Sequence, residues 1–301
     1  MKISAIDIGT NTILMLVAEV NEQGEIIPIR DFHEIARLGE GLNKNGKISD
    51  EALQRAIKIL KSYSTYSNEL RVGKIFCVGT AAFRDAKNSA EVIEKIRAET
   101  GIEVRVIDGE LEAFLSFIGT ISDNSYSVVL DIGGGSTEII AGEGENIKFR
   151  KSLPIGAVKL TEKYFKVHPP QAKELDLAYR NIIDELSKVD SSFIKGKIYA
   201  VAGTPTTISA VVQGLKEYQK DKIENFVLTY EKIIWAKEKF LQLSVSEIIE
   251  KLYVPPKRAD VILAGTIILE KFCELFNLPS IIVSDKGLRY GVAKYFSRKL
   301  N

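Results

Sequence analysis

Apolar residues alternate along the chain between short β-type runs and longer stripes at helical spacing. Near the N-terminus, the runs "SAIDIG" and "ILMLVAEV" are joined by the polar turn "TNT", which predicts a β-hairpin. The run "EIIPIRDFHEIARLG" continues the sheet, and Pro28 marks an edge strand or a bulge. A helix follows over "ISDEALQRAIKILKSYSTYSNEL", with Ser49 or Asp50 as its N-cap. Strand and helix patterns then alternate to about residue 120.

The second half of the chain repeats this plan. "SYSVVLDIG" and "TEIIAGEG" predict a second hairpin, and "NIKFRKSLPIG" predicts a third strand. A long amphipathic helix is expected over roughly residues 169–188. The strand "SIIVSD" and a last helix over 287–300 end the pattern. The polar cluster at 119–125 is the expected boundary between two α/β domains, residues 1–120 and 121–286.

The two hairpins also match residue by residue. When Asp7 is aligned with Asp131, 124 positions later, Gly9 falls on Gly133 and Thr12 falls on Ser136. A duplicated α/β domain, with its two copies facing each other across a cleft, is the simplest explanation of this near-repeat.

Composition narrows the choice of function. The 301 residues are 45% hydrophobic and 27% charged, an ordinary globular balance, and the net charge of +1 indicates no nucleic-acid partner for the whole molecule. Cys77 and Cys273 form no C-x-x-C pair and the chain has 2 histidines, so a zinc site is not indicated. The N-terminus lacks the apolar region of a signal peptide, and no run of about 18 apolar residues could cross a bilayer. We therefore expect a cytoplasmic protein without a membrane partner, and a homodimer stays open.

Both hairpin turns are rich in groups that bind phosphate. Glycine lets backbone N–H groups converge on an anion, and neighbouring hydroxyl and amide side chains add donors. A plain hairpin with a glycine turn is the alternative, but two copies in matched contexts make it the weaker one. The segment "AGTPTT" is a third turn with the same chemistry. The candidate phosphate-binding residues are Gly9, Thr10, Asn11 and Thr12 in the first turn, Gly133, Gly134, Gly135, Ser136 and Thr137 in the second, and Gly203 and Thr204 in the third.

Carboxylates at the ends of apolar strands are the candidate metal ligands. Asp7 and Asp131 each end such a strand, and Glu138 begins the strand that leaves the second turn. An unpaired carboxylate at these places would be costly. Mg²⁺ or another divalent cation bound to phosphate needs only one or two carboxylates, and would remove that cost. The alternative is that Asp7 and Asp131 only accept hydrogen bonds from N–H groups of the loops.

Two further segments carry charges that could act on a phosphate. In "DGELEAFLSFIG", Glu110 and Glu112 flank an apolar helical stripe, and each could orient a water molecule or be a solvated glutamate near a helix N-terminus. Arg84, in "GTAAFRDAKN", suits phosphate oxygens, and a salt bridge to Asp85 or to a helix carboxylate is an equal alternative. The final helix groups basic residues that could follow a polyanion or form a solvated helix end: Lys286, Arg289, Lys294, Arg298 and Lys299.

These motifs together resemble the Ppx/GppA phosphatases, the family of exopolyphosphatases and guanosine pentaphosphate phosphohydrolases. The resemblance covers essentially the whole chain, with "AIDIGTNTILMLVAEV", "GTAAFRDAKN", "VIDGELEAFLSFIG" and "VLDIGGGSTEI" in the family's order. Thr10 and Thr12 stand where the family more usually has serines, and Leu111 replaces the first glutamate of its G-x-E-E-A segment. Glu112 aligns with the second glutamate, so the resemblance implies that Glu112 is the catalytic carboxylate, with Arg84 at the same site.

The resemblance implies an α/β fold of two ribonuclease H-like domains around a central cleft, as in the superfamily of actin, acetate and sugar kinases and heat-shock ATPases. It also implies Mg²⁺-dependent hydrolysis of the terminal phosphoanhydride of polyphosphate or guanosine pentaphosphate, with Asp131, Glu138 and Asp7 at the cation. The chain is expected to be a short form without the C-terminal helical domain of longer relatives, its last helix packing on the first domain. An ATP-dependent kinase, a switch ATPase and a non-catalytic phosphate-binding module are the alternatives.

Overall fold

The computed structural model describes residues 1–298 and all their side chains except that of Asn43. Contacts between Cα atoms divide the described chain into two compact units. Unit 1 comprises Met1–Gly119 together with the C-terminal segment that begins at Gly287, and unit 2 comprises Thr120–Lys286. Each unit is built around its own β-sheet.

The strands of the described chain belong to two sheets. In chain order they are β1 (Lys2–Ile8), β2 (Thr12–Val20), β3 (Ile26–Ile35), β4 (Lys74–Gly79), β5 (Val104–Val106), β6 (Tyr126–Ile132), β7 (Thr137–Glu143), β8 (Asn146–Leu153), β9 (Lys197–Val201), β10 (Val227–Thr229) and β11 (Ser280–Val283). The five-stranded sheet of unit 1 has the order β3-β2-β1-β4-β5, and the six-stranded sheet of unit 2 has the order β10-β11-β9-β6-β7-β8.

Helices connect and flank these strands. In chain order they are α1 (Leu42–Asn45), α2 (Asp50–Glu69), α3 (Ala81–Asp85), α4 (Ser89–Thr100), α5 (Gly109–Thr120), α6 (Ala157–Tyr164), α7 (Ala172–Leu186), α8 (Gly203–Val212), α9 (Lys220–Ile223), α10 (Tyr230–Gln242), α11 (Val245–Leu252), α12 (Pro256–Ala259), α13 (Ile262–Leu275) and α14 (Leu288–Ser297). No helix of residues 1–298 combines the length and the apolar composition that crossing a membrane requires.

The sheet of unit 2 repeats the sheet of unit 1. Five neighbouring strands of unit 2, read as β8-β7-β6-β9-β11, have the order of β3-β2-β1-β4-β5 in unit 1. The first three strands of each unit are antiparallel, and the fourth pairs parallel to the first. In each sheet the register between the second and third strands shifts by one residue, opposite Val17/Ala18 of β2 and opposite Ala141/Gly142 of β7, and the extra residue of the bulge lies in the third strand, at Ile29 of β3 and Lys148 of β8. The two shifts fall at positions of β2 and β7 that are 124 residues apart, which is the offset of the two sequence motifs, and the predicted α/β class with two related sheets is confirmed.

Helix α2 shows how local signals set the boundaries of an element. Its N-cap is Ser49, whose hydroxyl accepts a hydrogen bond from the N–H of Ala52, so of the two predicted caps the structure uses the first. The helix packs its apolar side on the sheet, and the Tyr63 hydroxyl donates to the carbonyl of Ile13 at 2.9 Å. This contact satisfies a buried phenol and fixes the helix against β2.

The segment after β8 differs from its prediction. The pattern indicated one long helix over about 169–188, whereas α7 begins three residues later and a separate helix, α6, precedes it. Helix α7 begins at Ala172 because Gln171 and Glu174 form a reciprocal capping box. With only eight residues, α6 is too short for a clear periodic pattern, and the three-residue strand β10 was missed for the same reason.

The last helix, α14, packs on β1, β2 and β4 of unit 1. A buried ion pair fixes it there, because Arg289 Nε donates to Asp31 Oδ1 at 2.7 Å. The Tyr290 hydroxyl donates to the second oxygen of Asp31 at 2.9 Å. Helix α14 is described from Leu288 to Ser297, and the predicted end at residue 300 lies outside the described residues.

Candidate active site

In unit 1, three neighbouring parallel strands end at the same edge of the sheet. Ile8 at the end of β1 pairs with Gly79 of β4, and Gly79 pairs with Val106 of β5. The segments that follow the carboxyl ends of such strands meet at one edge, where ligands of α/β proteins bind. Here these segments are the first glycine turn, the short helix α3 with Arg84, and the start of α5 with Glu112. Three motifs that are distant in the sequence therefore lie at one edge of unit 1.

The first glycine turn presents backbone N–H groups. The N–H of Gly9 closes the turn by donating to the carbonyl of Thr12 at 2.9 Å. The carbonyls of Thr10 and Asn11 accept hydrogen bonds from the segment 36–39, which anchors the turn. Within residues 1–298, the N–H groups of Thr10 and Asn11 donate to no protein acceptor. Two successive N–H groups in this state form a site for an anion.

Asp7 is half-buried near the end of β1. Its cross-strand partner in β2 is Leu14, so the first hairpin places no second carboxylate beside it. Burial, reinforced by the charge of Asp7, raises the pKa of the Cys77 thiol on the adjacent strand. Cys77 is therefore a protonated residue of the core. In the cross-strand pair of Asp7 and Leu14, only Asp7 carries a charge.

Arg84 and Glu112 form an ion pair at this edge. Arg84 Nη1 donates to Glu112 Oε2 at 2.6 Å and to the carbonyl of Ile107 at 2.9 Å. The partner of Arg84 is thus a helix carboxylate rather than Asp85. Glu112 has 19% of its side chain exposed, whereas Glu110 is exposed. Arg84 thus holds the carboxylate of Glu112 in position, and a fixed carboxylate can orient a water molecule.

In unit 2, the same arrangement is built by β6, β9 and β11. Asp131 of β6 pairs with Val201 of β9, and Ala200 of β9 pairs with Val283 of β11, all in parallel register. The second glycine turn, the "AGTPTT" turn and the segment 284–286 follow these strands. The candidate residues of unit 2 therefore also lie at the carboxyl edge of their sheet.

The second glycine turn has the geometry of the first. The N–H of Gly133 donates to the carbonyl of Ser136 at 3.0 Å, as Gly9 does to Thr12. Its carbonyls are again tied back, because Gly133 and Gly134 accept hydrogen bonds from the first turn of α6. In the described part of the chain, the N–H groups of Gly134, Gly135 and Ser136 donate to no protein acceptor. Three successive N–H groups are available to an anion here, against two in the first turn.

Two predicted phosphate-binding residues have side chains that contact the core. Thr137 is fully buried, and its hydroxyl donates to the carbonyl of Ile155 at 2.6 Å. Thr204 is 5% exposed and packs against Gly265, where an added Cβ would lie 2.2 Å from the Thr204 hydroxyl. A side chain next to a turn can attach the turn to the core in this way, and phosphate binding by these two residues stays a prediction.

A cross-strand pair of carboxylates lies beside the second turn. Asp131 of β6 is directly opposite Glu138 of β7, and directly opposite residues have side chains on one face with Cβ atoms about 4.5–5.5 Å apart. The described residues contain no group of three or more His, Cys, Asp or Glu side chains that could hold a metal ion. A hard divalent cation bound together with phosphate oxygens needs only one or two carboxylates, so Asp131 and Glu138 fit such an ion. Asp7 belongs to unit 1 and is not part of this pair.

Arg258 is a candidate that the sequence reasoning missed. Its guanidinium lies against Gly203 at the start of α8, where an added Cβ would be 1.2 Å from Arg258 Nη1 and would displace the guanidinium. Burial lowers the pKa of Arg258, while Tyr218 and Asp285 oppose the shift. Among the described residues, its side chain has no hydrogen-bond partner. A desolvated guanidinium beside a helix N-terminus suits a phosphate group, but no local pattern around Arg258 indicates this placement.

The backbone before α8 is strained. Ala202 has φ 72° and ψ −167°, a region that essentially only glycine adopts. Such strain persists where the surrounding structure fixes it, and it is concentrated at functional sites. Here it directs the chain from β9 into the turn that carries Gly203.

Three of the five basic residues of the C-terminal segment are engaged in contacts within the protein. Arg289 is 2% exposed and holds α14 on the sheet. Lys286 pairs with Glu224 at 3.2 Å, and Lys294 donates to a main-chain carbonyl of α5 at 2.7 Å. Each of these three side chains contacts a partner within its own unit. These contacts favour neither of the two predicted roles, a site that follows a polyanion or a solvated helix end. Lys299 lies outside the described residues.

Known proteins share this arrangement of turns and sheets. The model of the Ppx/GppA phosphatase family matches residues 16–296. The chain belongs to the Ppx/GppA phosphatase family. A crystal structure of the Aquifex aeolicus family member covers 100% of this chain and 99% of its own, with 33% sequence identity and a TM-score of 0.84. The fold of this Ppx/GppA chain is thus the two-domain, actin-like fold of the solved family members.

Curated relatives differ in length. Exopolyphosphatase 2 of Mycobacterium tuberculosis is 29% identical over 313 residues, which are 97% of this chain and 97% of the relative. A bifunctional 3-dehydroquinate synthase/phosphatase of Fusobacterium nucleatum is 36% identical over 94% of this Ppx/GppA chain. A guanosine-5'-triphosphate,3'-diphosphate pyrophosphatase of Aliivibrio fischeri is 31% identical over 96% of it. The chain spans 44% of the Fusobacterium relative and 58% of the Aliivibrio relative.

Proposed function

We propose that this chain is a divalent-cation-dependent phosphohydrolase that releases the terminal phosphate of inorganic polyphosphate, of guanosine pentaphosphate, or of both. The observation that carries the proposal is the pair of matching glycine turns, whose successive N–H groups donate to no acceptor in residues 1–298. Anions of high charge density, such as phosphate chains, are the ligands of such turns. The names of the Mycobacterium and Aliivibrio relatives support the two substrates.

In the proposed reaction, Glu112 orients a water molecule and accepts its proton. The water oxygen forms a bond to the terminal phosphorus while the bond from this phosphorus to the bridging oxygen breaks. Orthophosphate leaves, and the substrate is one phosphate shorter. Phosphoryl transfer of this kind needs mainly positioning and charge stabilisation, and no covalent intermediate with the protein is required. Arg84 holds Glu112 through Nη1, and in this proposal its remaining N–H groups donate to phosphate oxygens.

Unit 2 supplies the cation site in this proposal. Asp131 and Glu138 would hold Mg²⁺ or another divalent cation, which when bound neutralises phosphate charge. In the proposal, the N–H groups of Gly134, Gly135 and Ser136 hold non-bridging phosphate oxygens. The guanidinium of Arg258 adds a positive charge beside Gly203, at the start of α8.

The experiment measures phosphate release with and without Mg²⁺ from four substrates: long-chain polyphosphate, guanosine pentaphosphate, ATP and a phosphomonoester. Glu112→Gln serves as the blank, because it keeps the size of the side chain and removes its charge. Release from polyphosphate or guanosine pentaphosphate that is lost in Glu112→Gln supports the proposal and selects the substrate. ATP consumption that depends on an added acceptor would support a kinase instead. Release from the phosphomonoester alone would contradict a phosphoanhydride substrate.

A further inference from the structure

A serine hydroxyl lies next to the proposed cation ligands. Glu138 is opposite Asp131 on one side and opposite Ser152 of β8 on the other. The three side chains therefore form a row across three strands on one face of the sheet. Ser152 Oγ donates to Glu138 Oε1 at 2.8 Å.

The corresponding row of unit 1 lacks this chemistry. There Asp7 is opposite Leu14, and Leu14 is opposite His33 of β3. The two hairpins share their strand order, their turn geometry and the position of their bulge. The hairpin fold therefore does not require the contact between Ser152 and Glu138. This contact is found in unit 2, where the row contains the two carboxylates Asp131 and Glu138.

We infer that Ser152 is a positioning residue for the divalent cation, which it serves by fixing the carboxylate of Glu138; this rests on the proposed function. A glutamate side chain has three rotatable torsions, and a hydrogen bond to one oxygen restricts them before the ion arrives. The hydroxyl is neutral, so it orients Glu138 without cancelling the negative charge that attracts the cation, as a lysine would.

Ser152 and Glu138 both have neighbours in the chain that are buried in the core of unit 2. Leu153, the next residue, is 1% exposed, and Ile155 is fully buried. The carbonyl of Ile155 accepts the hydroxyl of Thr137, which directly precedes Glu138. The residues next to both ends of the contact are thus attached to the core of unit 2, although the hydrogen bond itself is exposed.

The test is Ser152→Ala in the full chain, with two readouts of Mg²⁺. Calorimetric titration with MgCl₂ in the presence of orthophosphate reports binding without turnover, and phosphate release from the preferred substrate reports activation. We expect the Mg²⁺ midpoint to rise about 10- to 100-fold in both, the range known for the loss of a group that supports a metal ligand. The kcat at saturating Mg²⁺ should stay within about twofold of wild type. Ser152→Thr keeps the hydroxyl and should restore the midpoint.

A matched control is Ser125→Ala. The Ser125 hydroxyl also donates to a carboxylate of unit 2, that of Asp123, at the opposite end of β6, and its loss should leave both midpoints unchanged. Ser152→Ala with a wild-type midpoint in both readouts would overturn the inference, as would a midpoint that Ser152→Thr does not restore. Wild-type protein that neither binds Mg²⁺ nor responds to it would overturn the proposed cation requirement as well, so the two failures are distinguishable. Circular dichroism verifies that each variant is folded.

Discussion

Replacing Arg84 by methionine separates two roles of this side chain, the positioning of Glu112 and the binding of phosphate. Arg84 Nη1 makes both of its protein contacts, to Glu112 Oε2 at 2.6 Å and to the carbonyl of Ile107 at 2.9 Å. Methionine keeps most of the aliphatic stem but removes every N–H group. If positioning dominates, the carboxylate of Glu112 is left without the contact that holds it towards the reacting water.

The size of the effect follows from the burial of the pair. A hydrogen bond to a charged group contributes about 1.5–3 kcal/mol. The side chains of Arg84 and Glu112 are 31% and 19% exposed, so water screens the pair and the lower part of the range, about 1.5–2 kcal/mol, applies. At about 1.4 kcal/mol for each factor of ten, the loss of positioning lowers kcat about 10- to 30-fold.

The assay is a double-mutant cycle. We would measure kcat and KM for wild type, Arg84→Met, Glu112→Gln and the double variant, all with tripolyphosphate. Because Glu112→Gln has no carboxylate to position, adding Arg84→Met should then lower kcat less than about threefold. The same 10- to 30-fold loss in both backgrounds would refute the positioning role and assign Arg84 to the phosphate alone. Arg97→Met is the control, since Arg97 forms an exposed pair with Glu94 on α4.

Three further outcomes follow from particular contacts. Asp131→Asn should raise the Mg²⁺ concentration for half-maximal phosphate release at least tenfold, because it removes one of two charged ligands; an unchanged titration would contradict the cation site. Arg289→Met should destabilise the protein by about 3 kcal/mol, the lower end for a broken buried ion pair, since Tyr290 still binds Asp31. Thermal unfolding should show a Tm lowered by roughly 10 °C, and Asp31→Leu in the same chain should restore most of it. Ala202→Gly should stabilise the protein by about 1 kcal/mol, because relief of about 1–3 kcal/mol of strain exceeds the added entropy of the unfolded glycine; a lower Tm would show that φ 72° is not strained here.

The plan of the sheets could be predicted because its signals are local. Alternating apolar residues, a glycine turn and a hydroxyl act over a few neighbouring positions, so the two hairpins were readable from "SAIDIGTNTILML" and "VVLDIGGGSTEII". The duplication could be predicted for the same reason, and the register shifts opposite β2 and β7 extend its offset beyond the motifs themselves. The conformation of the backbone in both turns could be predicted from their glycines. The burial of the Thr137 and Thr204 hydroxyls could not be predicted from the sequence.

The partners of the charged residues were decided by the tertiary structure. Arg84 meets Glu112, 28 residues later, because parallel pairing of β4 with β5 brings their carboxyl ends to one edge. Arg258 reaches Gly203 only through the packing of α12 and α13 beside α8, and Arg289 finds Asp31 at a separation of 258 residues. A charge in the sequence has many possible partners at similar energy in water. Burial removes water as the competitor and makes the choice of one partner strong, so these pairings exist only once the sheets and helices have packed.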